Sequence, residues 1–72
     1  MFTPKFGDVI LRATIAGGFF VMDALNKHCV AGPLSLREAV AYAQAHGAPN
    51  IFQQPVDERG RIMGDPLRLA WS

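Results

Sequence analysis

A single well-punctuated helix constrains this chain most, because nearly everything before it reads as strand. Ser35-Leu36-Arg37-Glu38 is a Ser-x-x-Glu capping box. The serine hydroxyl and the glutamate carboxylate each satisfy an amide at the helix start that has no helical partner. Leu36, Ala39, Val40 and Ala43 then recur at helical spacing and form one apolar stripe. Alanine is the best helix former, and four alanines fall within residues 39–45. Gly47 suits a C-terminal cap and Pro49 prevents continuation. These signals predict a helix over about residues 36–46, with a stripe of small side chains that can lie close to a sheet.

The segment before the helix alternates with period two. Val9, Leu11, Ala13 and Ile15 point one way, and Ile10, Arg12 and Thr14 the other, which predicts a strand over 8–15. Gly17-Gly18 is a two-residue hairpin signal, since tight hairpin turns need positive φ. A return strand is predicted over 19–25, a second turn at Asn26-Lys27, and a third strand over 28–31 that Gly32-Pro33 stops. With those turns, Ile15 faces Phe20, Ala13 faces Met22, Leu11 faces Ala24, Ala24 faces Cys29 and Met22 faces Ala31. One face is then wholly apolar and reads as the core, with Phe20, Met22 and Cys29 on it. Arg12 falls opposite Asp23 on the other face, a favourable cross-strand pair. A one-residue slip would lose both features.

After the helix, 50–54 reads as a short strand that Pro55 either confines to an edge or ends. Asp57-Glu58-Arg59-Gly60 is a turn, and 61–63 a second short strand candidate. Residues 1–7 form an irregular lead-in, and 64–72 a tail in which Trp71 is either an anchor onto the core or part of a contact site. The expected class is α+β: one domain of 72 residues, an antiparallel β-meander packed by one helix and followed by one or two short strands.

A chain this short buries only about 60% of the surface its unfolded form exposes. Half of its residues are hydrophobic, so apolar side chains beyond the capacity of the core are expected to form a contact face. The net charge of +1 supplies no strong field toward nucleic acid or anionic lipid. Arg12 and Thr14 interrupt the apolar run over 9–22, which is also too short to span a bilayer. The lone cysteine, Cys29, cannot form an intramolecular disulfide, and a cytoplasmic, non-membrane protein is expected.

Chemistry-bearing patterns are sparse. A thiolate nucleophile needs a base within hydrogen-bond reach, but adjacent strand residues point to opposite faces, so His28 is not placed to activate Cys29. His28, Cys29 and His46 lack the spacing of a metal site. Asp57 and Glu58 sit in a solvated turn, with nothing apolar nearby to shift them toward acid–base work. The helix start after Gly32-Pro33-Leu34 could receive an anion, but the capping box already occupies its amides. No catalytic residue, cofactor or metal is expected.

Gly18, Phe20, Val21, Val30, Gly32, Leu34, Ser35, Glu38, Ala39 and Ala43 lie in a hairpin-then-helix unit over 18–47. This unit resembles the three-stranded-sheet-plus-helix DNA-binding domains, namely the plant ethylene-response factor domain and the arm-binding domain of tyrosine integrases. The outline is also similar to several small bacterial families of unknown function. The DNA-binding resemblance implies DNA reading by an Arg- and Trp-rich strand face. Here the corresponding face would carry one arginine, one acid and several apolar groups, and phosphate contacts supply most of the affinity in DNA binding. The residues favour a non-catalytic protein–protein interaction or self-association module, a homodimer included, with a nucleic-acid-binding accessory domain as the alternative. The expected interaction face is the outer sheet face: Ile10, Arg12, Phe19, Val21, Asp23, Leu25 and Val30.

Overall fold

The computed structural model describes residues 2–69. Five strands and one helix follow in the order β1 (Val9–Ala13), β2 (Phe19–Asp23), β3 (Cys29–Leu34), α1 (Leu36–Ala45), β4 (Ile51–Gln54) and β5 (Leu67–Arg68). The sheet runs β3-β2-β1-β4-β5. The expected α+β class holds: a three-stranded meander with one helix packed on it. The sheet is mixed, however, because β4 lies parallel to β1. Parallel neighbours need a crossover, and α1 supplies it between β3 and β4. β4 is interior rather than an edge, and of the two expected roles Pro55 takes the second: it ends the strand, standing just past Gln54 where no ladder bond is needed.

The helix forms as its punctuation predicts. Ser35 Oγ accepts from Glu38 N–H at 3.1 Å, and Glu38 Oε1 accepts from Ser35 N–H at 3.1 Å. At the other end Ala48 N–H reaches Ala43 O and Gly47 N–H reaches Gln44 O, each at 3.0 Å, the paired bonds of a Schellman cap. Ala39 and Ala43 are buried, whereas Leu36 is exposed.

The register differs from the expected one. Leu11 pairs with Val21 and Arg12 with Phe20, so the offset between β1 and β2 is three residues from that implied by a Gly17-Gly18 turn. Gly17 N–H bonds Thr14 O, and Thr14 N–H bonds Gly18 O. The hairpin loop is thus Ile15-Ala16-Gly17, with Gly17 (φ +102°) as the left-handed third residue. An odd offset turns β2 over. Val21, placed outside by the sequence reading, is fully buried, and Phe19 packs against the core. Phe20, Met22 and Cys29, placed inside, lie on the outer face.

Leu11, Val21, Ala39, Ala43 and Ile51 form the core between sheet and helix, with Phe19, Leu34, Val40 and Tyr42 around it. β3 runs on through Gly32-Pro33, a cis peptide bond, with irregular register against β2. Gly32 (φ +119°) lies so close to β2 that a Cβ there would stand 2.7 Å from Phe19 O. The second turn spans Ala24–Lys27, since Asp23 N–H bonds His28 O and Lys27 N–H bonds Asp23 O. Residues 61–63 form no strand; Val56 and Ile62 make a single bridge. Instead β5 forms within the expected tail, and Trp71 lies outside the described residues.

Candidate functional site

The three middle strands supply the centre of the sheet face opposite the helix. β1 contributes Ile10 and Arg12, β2 contributes Phe20 and Met22, and β4 places Phe52 beside Ile10 and Gln54 beside Arg12. All are half-buried except Gln54, which is buried. The segment from Pro55 to Pro66 folds along one side of this face. Gln54 fixes it by donating through Nε2 to Pro55 O at 3.2 Å and to Gly64 O at 2.9 Å. Met63 N–H closes on Pro55 O at 2.9 Å. A buried amide with both protons used is a built clamp rather than an accident of packing.

The result is an open groove of about 430 Å³, with Ile10, Arg12 and Met22 in its lining and Ile62, Asp65 and Pro66 on the clamped segment. Phe2 also lines it and meets the Phe52 ring edge-on at 4.8 Å. A second depression, of about 450 Å³, continues past Arg12 to Phe20, Cys29 and Ile15. Arg12 lines both, so it is the charged residue that the two depressions share.

The expected interaction residues scatter. Ile10 and Arg12 lie on the outer face. Phe19 and Val21 lie on the helix side, for the reason of register given above. Arg12 is paired with Phe20 and not with Asp23, so the expected cross-strand ion pair does not form. Asp23 instead caps the second turn, its Oδ1 accepting from the N–H groups of Leu25 and Asn26 at 2.9 Å each. Those bonds, Asn26 first, lower its pKa. Leu25 is exposed in that turn, and Val30 is exposed on edge strand β3. Cys29 is exposed, with Sγ 3.3 Å from Ala31 O, so it is not the core filler expected of it.

Sequence reasoning missed Phe20, Met22, Ile62, Gln54 and Asp65. The signal for the first two was present: Gly17 as the last residue of a three-residue loop gives the observed register at once. Nothing in the sequence marks Gln54 as a clamp.

Among the described residues, no group of three or more His, Cys, Asp or Glu is placed to hold a metal ion. No helix among them is long and apolar enough to cross a membrane. Comparison of the chain with protein-family models, curated proteins and solved structures finds no match.

Proposed function

We propose that this protein is a non-catalytic polypeptide-binding module that works through the sheet face the helix leaves uncovered. The observation that carries the reading is the groove floor: Ile10, Phe20 and Met22 around Arg12, with Ile62 58% exposed on the rim. Exposed apolar surface rimmed by charge is characteristic of protein contact sites. Three carboxylates are already engaged in structure: Asp23 in its turn, Glu38 in the capping box, Asp57 with Arg61 at 2.8 Å. Nucleic acid is disfavoured as partner because the charges lining the groove balance, whereas phosphate binding needs a net positive stripe. A reducing, cytoplasmic setting suits an exposed thiol with no disulfide partner in the chain.

Selection of a random peptide library on the immobilised protein tests this. The enriched peptides should lose binding on Phe20→Asp and on Met22→Asp, both checked for folding by circular dichroism. They should keep it on Leu25→Asp, which changes an exposed apolar residue in a turn. Peptides indifferent to Phe20 and Met22, or duplex DNA binding that weakens steeply with salt, would sink the reading.

A further inference from the structure

We propose that the occupant of this groove is a second copy of the chain, docked face to face about a two-fold axis that sets Arg12 of each copy against Asp65 of the other. The inference rests on the reading of the outer face as a polypeptide-contact surface.

Its first ground is charge. Four charged residues line the groove, Arg12 and Lys27 against Asp23 and Asp65, so its lining is neutral. A two-fold interface brings one patch against itself, and only a patch with balanced charge does so without repulsion. Asp23 is engaged by the amides of its own turn. The one ion pair among the described residues joins Arg61 to Asp57, so Arg12 and Asp65 face the same groove without meeting. Arg12 stands on central strand β1 and Asp65 on the clamped segment across the groove. A two-fold axis between them makes two identical contacts at once, each arginine meeting the partner's carboxylate.

The second ground is polarity. Ile10, Met22 and Ile62 line the groove together with the two charges, and Ile15, 78% exposed, stands on the continuing depression beside Gly60. A copy of the chain covers these apolar groups with their own like, the arrangement that drives association, while the charges fix the orientation.

Sedimentation equilibrium of the full chain tests this with Arg12→Glu, Asp65→Arg and their equimolar mixture. The native chain should sediment at twice the 7.8 kDa monomer mass. Each single variant places like charges at both contacts and should weaken the dimer by at least about tenfold. The mixture should regain the native affinity, because both contacts in the mixed dimer again join opposite charges. Both side chains lie outside the core, and circular dichroism is the check that each variant folds. A native chain still monomeric at about 1 mM overturns the second copy, and the peptide selection then decides separately whether another polypeptide uses the face. A dimer untouched by either variant, or two weakened variants whose mixture stays monomeric, overturns the pairing.

Discussion

The carboxylate of Asp8 accepts a hydrogen bond from the side-chain amide of Asn50 at 3.2 Å, across 42 residues of sequence. Asp8 stands just before β1 and Asn50 just before β4, so the bond sits where the two parallel strands begin. Beside it Val9 N–H reaches Asn50 O at 3.2 Å. The other carboxylate oxygen of Asp8 takes Lys5 N–H at 2.9 Å, and its main-chain oxygen takes Ala24 N–H at 3.0 Å. One buried residue thereby ties the lead-in, the second turn and β4 to the same end of the sheet.

This arrangement makes Asn50 a stability residue despite its place in a loop. Asp8 is only 2% exposed, so removing its donor leaves a buried carboxylate oxygen short of a partner. Asn50→Ala should destabilise the fold by about 1–3 kcal/mol in urea unfolding, with an unchanged denaturant slope. Asn50→Ser, which can still donate, should recover part of that loss. An Asn50→Ala variant as stable as the native chain would show that the bond contributes nothing.

Gly32 and Gly17 both have positive φ, but only one is sterically closed. A Cβ at Gly17 meets nothing within 4 Å, whereas at Gly32 it would stand 2.7 Å from Phe19 O and 2.9 Å from Phe20 Cα. Gly17→Ala should therefore cost only the left-handed backbone term, about 1–2 kcal/mol. Gly32→Ala adds a backbone clash and should lower the thermal midpoint by clearly more, because β3 must move off β2. Equal midpoints for the two variants would contradict the close approach.

Much of this fold was legible in the sequence, and the failures share one cause. The helix was read with both ends because its caps are local: Ser35, Glu38 and Gly47 act within a few residues of themselves. The strands were found because alternation is also local. Register is not, and β2 is apolar on both faces, with Phe19 and Val21 on one and Phe20 and Met22 on the other. Hydrophobicity therefore could not choose between them. The Gly17-Gly18 turn signal then set the wrong register, and the apparent Arg12–Asp23 pair supported it, because Asp23 looked like a cross-strand partner when it is a turn cap. β5 and the Gln54 clamp were invisible for a related reason: Leu67-Arg68 is too short for a pattern, and Gln54 acts on Gly64, ten residues away. The candidate site inherited the register error, keeping Ile10 and Arg12 and exchanging Phe19 and Val21 for Phe20 and Met22.

Asp23, Glu38 and Asp57 each serve the backbone as acceptors, and this gives the fold a defined response to acid. Asp23 is held below its ordinary pKa first by the Asn26 amide, Glu38 by the Ser35 amide and Asp57 by the Arg61 amide. In each case the ionised form is the better acceptor, so the folded state binds its proton more weakly than the unfolded chain does. A lowered folded value means that the stabilisation is fully present above the unfolded pKa and is lost as pH falls through the folded one. Thermal midpoints should thus be level from neutral pH down to about pH 5 and fall below about pH 4, the ordinary carboxylate range. The combined variant Asp23→Asn, Glu38→Gln, Asp57→Asn keeps an oxygen acceptor at every position but has no proton to take up there. Its midpoint should start lower at pH 7 and decline less between pH 5 and pH 2 than that of the native chain. Parallel declines in the two proteins would assign the acid sensitivity to other carboxylates.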